Sequence, residues 1–275
     1  MLMAPDGLSA SAATCADNRY MDASTQVMAA TAQAQHRALA HALSSRLPAW
    51  TFPGDPTTPD ATFLNNAFAT VPGRLILGAM RYPERQRETS RADLHAFFTD
   101  VLGYDIVDLH DGSRVAELTG SLVIDRRRGV GFCGLGERCD LAGVQAMHDA
   151  FGLRLTYAFD LAPGEYHTNV VMSILGGRTV VLCPSGLAEE SASKALLEVY
   201  GDESIILSVQ EKNAFAGNCI AVDSQHAWMS AAAAAGLTPS ARDRFARLQW
   251  QVSAVDLSEI ERAGGSLRCC VAELY

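Results

Sequence analysis

Residues 121–159, SLVIDRRRGVGFCGLGERCDLAGVQAMHDAFGLRLTYAF, decide the architecture. The apolar run 121–125 reads as a strand, and Arg126-Arg127-Arg128 before Gly129 as a solvated turn. A second strand follows at 129–134, a helix at 141–151 and a third strand at 153–159. Upstream, the alanine-rich stretch from Asp22 to Ser45 predicts a helix that Pro48 stops. Residues 53–60 carry three prolines and a glycine, which is turn chemistry. A strand at 74–78, a helix at 90–102 and a strand at 104–109 lead into the quoted segment. Downstream come strands at 169–175 and 178–182, a helix at 188–200, a strand at 204–209 and a hairpin of 219–222 with 227–230. A helix at 239–247, a strand at 249–254, a helix at 256–263 and a strand at 267–274 complete the pattern. Both kinds of segment recur about every 45–55 residues without a long linker, which predicts one repetitive α/β domain over 1–275.

Composition narrows the function. A formal net charge of −9 argues against a nucleic-acid partner, whose phosphates need a concentrated basic surface. No apolar stretch approaches the roughly 18 residues of a membrane span, and the N-terminus lacks a signal-peptide pattern, so the expectation is a cytoplasmic protein that does not enter a membrane. Seven cysteines without CxxC spacing predict neither a disulfide framework nor a zinc site. With 48% hydrophobic residues the chain can bury a large core.

Cys269 follows the flexible pair Gly264-Gly265 and begins an apolar segment, a setting that can present a thiol from a rigid element. Arg268 beside it would favour the thiolate, the reactive form. His167 stands immediately before the apolar run Val170-Val171-Met172 and, as a histidine, can move protons near neutral pH. Asn65 and Asn66 lie among apolar residues, where unsatisfied amides are costly, and so mark a polar pocket.

Taken together, six ordered motifs carry a resemblance. They are Pro59-Asp60-x-x-Phe63-x-Asn65-Asn66, Glu84-Arg85-Gln86-x-Glu88, Glu117-x-Thr119-Gly120-Ser121, Tyr166-His167-Thr168-Asn169, Phe215-Ala216-Gly217-Asn218 and Gly264-Gly265-Ser266-x-Arg268-Cys269. The set resembles the guanidino-modifying pentein superfamily, whose members include arginine deiminases, dimethylarginine hydrolases, arginine dihydrolases, amidinotransferases and citrulline hydrolases. It spans nearly the whole chain, and the likeness is greatest to the citrulline hydrolases and arginine dihydrolases. The resemblance implies a five-bladed α/β propeller of pseudo-repeated ββαβ units around a polar channel. It also implies Cys269 as nucleophile, His167 as general acid/base and Glu117 as its acidic partner. Asp60 and Asn18 would contact the substrate, and Arg85 and Arg138 would hold its α-carboxylate, which a guanidinium fork suits. No metal or other cofactor is implied; the partner is a small arginine- or citrulline-like molecule, with a homo-oligomer open.

Two departures bear on the substrate. Relatives acting on a guanidinium usually place carboxylates at the positions of Asn66 and Asn169, where this chain has amides. An amide both donates and accepts, which suits a neutral ureido group, whereas a carboxylate only accepts. The expected reaction is therefore hydrolysis of a citrulline-like substrate to ornithine, ammonia and carbon dioxide. The alternatives are an arginine dihydrolase, an arginine or dimethylarginine deiminase, an amidinotransferase, and a non-catalytic binding protein. Leu64, Ala67 and Leu118 also replace the proline, tryptophan and glycine of citrulline-branch relatives, and the Glu84–Glu88 run is nearer to the dihydrolases.

Overall fold

A computed structural model describes residues 1–21, 24 and 26–275. Strand β1 (Leu2–Met3) runs parallel to β2 (Thr51–Phe52). Four times thereafter an antiparallel strand pair is followed by helix and a third strand parallel to the second. The first unit holds β3 (Phe68–Val71), β4 (Arg74–Leu77) and β5 (Asp105–Asp108). The second holds β6 (Leu122–Asp125), β7 (Val130–Leu135) and β8 (Leu155–Asp160). The third holds β9 (Met172–Leu175), β10 (Thr179–Leu182) and β11 (Ser204–Ile206). The fourth holds β12 (Ile220–Ala221), β13 (His226–Ser230) and β14 (Gln251–Val255). Two strands in parallel need a crossover, and the helices between second and third strands supply it.

Local chemistry explains the repeat. Helix Leu141–Phe151 starts where the Asp140 carboxylate accepts from Gly143 N and stops at Gly152, whose φ of 62° is left-handed. Its buried Val144, Met147 and Phe151 share one face against the sheet. The turn between β9 and β10 uses Gly176 and Gly177 at φ 58° and 65°, values that side chains resist.

Apolar packing lies between successive units. One cluster joins Ala69 and Ile76 to Leu122 and Met147, the next Val123 and Phe132 to Val180 and Leu182, and a third Val181 and Ile205 to Met229 and Phe245. A fourth joins Trp228 and Val255 to Leu267 and Leu2, and a fifth Met3 and Ala272 to Phe68 and Leu75. Each fully buried Leu or Phe contributes about 1.5–3 kcal/mol, so these interfaces fix how the units sit.

Inside the packing, short buried turns precede three of the strand pairs, Leu64–Asn66, Leu118–Ser121 and Thr168–Val171, and a fourth, Leu267–Cys270, follows β14. Polar bonds string them together. Thr119 Oγ1 donates to Asn65 O (3.0 Å), Asn169 Nδ2 to Thr119 O (3.1 Å), Asn218 Nδ2 to Asn169 O (2.9 Å), and Arg268 N to Asn218 Oδ1 (2.9 Å). The partners are 54, 50, 49 and 50 residues apart, which is the period of the repeat itself. Beyond Cys270 the chain reaches Ala272, whose N and O both bond to Met1 (3.0 and 2.8 Å).

Several expectations change. Residues 169–171 are helical and the strand begins only at Met172. The expected strand 267–274 is a 3-10 turn over Leu267–Cys270, because Arg268 N–H is claimed by Asn218 rather than by a neighbouring strand. The first helix is Ala29–Ser44; Asp22, its expected start, lies outside the described residues. The helix expected over 90–102 is Ala92–Ala96 followed by a wider turn, Phe97–Val101. Among the described residues the fold is mixed α/β, with four three-stranded sheets and one two-stranded sheet. Among the described residues no helix is long and apolar enough to cross a membrane.

Candidate active site

The turn Leu267–Cys270 holds Cys269 at 1% exposure. Asn218 Nδ2 lies 3.2 Å from its sulfur, and Asn169 Oδ1 lies 3.7 Å away on another side. Burial pushes the thiol pKa up, opposed by the Ser266 backbone, the Asn218 amide and the Arg268 charge. Arg268 itself turns aside: its guanidinium donates to Val271 O (2.6 Å) and pairs with Glu273 (3.1 Å).

His167 immediately precedes the turn Thr168–Val171 and is wholly buried. Its Nε2 meets Glu117 Oε2 at 2.9 Å, and its Nδ1 has no partner. Burial lowers its pKa, and the neighbouring Glu117 only partly offsets this. Neutral imidazole that donates from Nε2 to Glu117 keeps a free lone pair on Nδ1.

Glu117 is the electrostatic hub. Its carboxylate accepts from Arg138 Nη1 (3.2 and 3.5 Å), Arg85 Nη1 (3.5 Å) and Arg81 N (3.3 Å) as well as from His167. Burial would raise its pKa, but Arg138, the His167 hydrogen bond and Arg85 together hold it well below the usual carboxylate range.

The two arginines expected to hold a substrate carboxylate are already engaged. Arg138 Nε and Nη2 form a fork on Asp17 (2.7 and 2.6 Å), and Nη2 also reaches Thr14 O (3.3 Å). Arg85 Nε and Nη2 do the same on Glu88 (3.1 and 2.9 Å). In this structure both therefore position Glu117 and offer little free donor capacity. Asn18 is likewise occupied, donating to Gly264 O (3.1 Å) and accepting from Tyr20 N (3.0 Å).

Cys269, Asp60, Asn66, Arg85, Arg138 and Asn18 nevertheless line one cavity. Its free volume is about 10 Å³, room for about one water, so the site is narrow. Asp60 is 3% exposed and neither of its oxygens has a partner at normal hydrogen-bond distance; burial raises its pKa against the Arg85 charge and the nearby Thr14 hydroxyl. Asn66 Oδ1 is also buried and unpartnered. Such atoms await a ligand or water that can donate. Among the described residues no hydrogen bond joins His167 to Cys269, and no group of three or more His, Cys, Asp or Glu side chains could hold a metal ion.

Sequence reasoning missed Asn218, Asp17 and Glu88 as site residues. Asn218 and Glu88 stood within recognised motifs without a role; Asp17 carried no signal. It also missed why position 120 is glycine. A Cβ there would sit 2.3 Å from Asn66 Oδ1 and 2.8 Å from His167 Cε1. Gly120→Ala is therefore expected to displace both side chains and lower kcat about 100-fold, the scale of an ångström-sized misplacement. Steady-state kinetics check this, and an unchanged kcat would contradict the packing.

Comparison with known proteins follows the same outline. A family model described as "N,N dimethylarginine dimethylhydrolase, eukaryotic" matches residues 4–275. The N(G),N(G)-dimethylarginine dimethylaminohydrolase of Mycobacterium tuberculosis is 26% identical over 260 residues, covering 94% of this chain and 80% of that protein. The N-terminal domain of ArgZ bound to substrate, an arginine dihydrolase from the ornithine-ammonia cycle in cyanobacteria, superposes with a TM-score of 0.86 at 18% identity, over 99% of this chain and 97% of that one. A dimethylarginine dimethylaminohydrolase carrying an adduct with S-methyl-L-thiocitrulline gives 0.73 at 19%, over 98% and 96%. The structural likenesses establish a shared mixed α/β fold.

Proposed function

The chain belongs to the N,N dimethylarginine dimethylhydrolase family, and from that premise we propose that it hydrolyses the terminal C–N bond of a ureido amino acid of the citrulline type through Cys269. Members of this family and its pentein neighbours are hydrolases of guanidino C–N bonds that work through a cysteine, and this chain is a C–N hydrolase of that kind. The five sheets and five intervening clusters are read as the blades of an α/β propeller forming one catalytic domain over 1–275.

The observation that carries the substrate reading is the pair of buried amides, Asn66 and Asn169, beside the Cys269 cavity. Asn66 lines the cavity and Asn169 stands beside the sulfur, so the surroundings of Cys269 are two negative charges short of a site built from carboxylates, which weakens the case for a cationic group and favours a neutral one. In the reaction, the Cys269 thiol gives its proton to His167 Nδ1 and the sulfur attacks the ureido carbon; the bond to the terminal nitrogen then breaks, and ammonia leaves carrying that proton. Water, deprotonated by His167 Nδ1 while Glu117 holds Nε2, then cleaves the thiocarbamate. The carbamate of ornithine so released loses carbon dioxide, and the thiol is restored.

A second reading takes arginine through two such rounds, and Asp60 favours it. Two buried carboxylate oxygens without a partner at normal hydrogen-bond distance match the N–H-rich edge of a guanidinium. The discriminating experiment incubates the protein and its Cys269→Ser variant separately with citrulline, arginine and dimethylarginine while ammonia, ornithine and citrulline are quantified. Ornithine from citrulline, absent in the variant, supports the ureido reading. Two ammonia per ornithine from arginine supports the second. Turnover of arginine or dimethylarginine that stops at citrulline, with citrulline itself inert, overturns both.

A further inference from the structure

We propose that Asn218 is a catalytic residue: it donates an N–H to the Cys269 sulfur from a locked orientation and so supports the thiolate. The proposal rests on Cys269 being the nucleophile. Asn218 is wholly buried at the end of the turn 215–218, where its N–H bonds to Phe215 O (2.9 Å). The two ends of its amide have different neighbours. Oδ1 accepts from Arg268 N at 2.9 Å, and Nδ2 donates to Asn169 O at 2.9 Å. Flipping the amide would set oxygen against oxygen and N–H against N–H, so the orientation is fixed by its partners. The second Nδ2 hydrogen then has one acceptor at hand, the Cys269 sulfur at 3.2 Å.

A donor on that atom stabilises the charged sulfur more than the neutral thiol, because hydrogen bonds to ions are the stronger ones. Among the described residues no other side chain in the site takes this role. Arg268 faces Glu273, and His167 makes no hydrogen bond to the sulfur. Asn169 presents its oxygen, because its own Nδ2 is held by Thr119 O at 3.1 Å. The bonds that lock Asn218 belong to the chain linking the buried turns, so the same contacts that align the units also aim a donor at the reacting atom. Gly217 makes this approach possible, since a Cβ there would lie 2.4 Å from Val170 O.

The test is the pH profile of iodoacetamide alkylation at Cys269, followed by peptide mass spectrometry, in the wild type, Asn218→Ala and Asn218→Asp. Asn218→Asp keeps the shape and an acceptor for Arg268 N–H while replacing the donor by a negative charge. Both variants are expected to alkylate about tenfold more slowly at pH 7, with the midpoint moved up by about one pH unit. An unchanged midpoint in either folded variant overturns the proposal. Should both fail to fold, the unaltered protein decides: the Asn218 side-chain amide resonances should move over the pH range in which Cys269 ionises, and constant resonances would overturn it. Because alkylation needs no substrate, failure of the assigned reaction reads differently: Cys269→Ser would then retain turnover whatever the alkylation profile shows.

Discussion

Replacing Cys269 by serine is expected to abolish turnover, by about 10⁴-fold or more, while the melting temperature stays near that of the parent. Removing a nucleophile in covalent catalysis commonly has effects of about 10⁴ to 10⁶. The geometry explains why serine cannot substitute. The sulfur is flanked by a donor amide and an acceptor amide rather than by a base, since no hydrogen bond links it to His167. A thiol supported by one N–H reaches its anion near neutral pH far more readily than a hydroxyl does. Steady-state ammonia release alongside thermal unfolding separates lost chemistry from lost fold; residual activity above a hundredth of the parent's would count against the nucleophile.

Glu117→Leu should have the largest effect on stability. Its carboxylate is the shared acceptor of Arg85, Arg138 and His167, all at most 3% exposed. Breaking such a buried network by removing one partner leaves uncompensated charge and typically loses about 3–5 kcal/mol. In a chain of this size that is a fall in Tm of roughly 10 °C. Because the folded carboxyl is held below its ordinary pKa of 4.5, the stabilisation is full above that value and is lost as pH falls below it. Tm measured across pH should therefore show a constant gap between parent and variant from pH 5 upward that narrows on acidification. A gap that widened on acidification would reverse the assigned sign.

Much of this arrangement is visible in local sequence and some of it is not. Helix Leu141–Phe151 is legible because its start and stop are written beside it, as Asp140 and Gly152. The Cys269 segment misleads because Leu267-Arg268-Cys269-Cys270-Val271 reads as an apolar strand, while the bond that turns it comes from Asn218, 50 residues away. The same distance hides Asn218 itself, whose motif is recognisable but whose acceptor is known only once the turns are brought together. Arg138 shows the complementary case. A guanidinium suited to a substrate carboxylate is visible in sequence, yet Asp17, 121 residues earlier, occupies its fork. Asp60 and Asn66 are the converse, polar groups whose unmet hydrogen bonds appear only when their burial is known.

Acid-quenched mass spectrometry of the His167→Ala variant incubated with an S-alkyl-thiocitrulline, whose thiolate leaves without a proton from His167, tests covalent catalysis at Cys269 most directly. Without the base that activates water, the adduct should accumulate, and the Cys269 peptide should gain the mass of the substrate less one alkanethiol. An unmodified Cys269 peptide, or the same mass on another residue, while the parent protein turns that substrate over, would contradict the account.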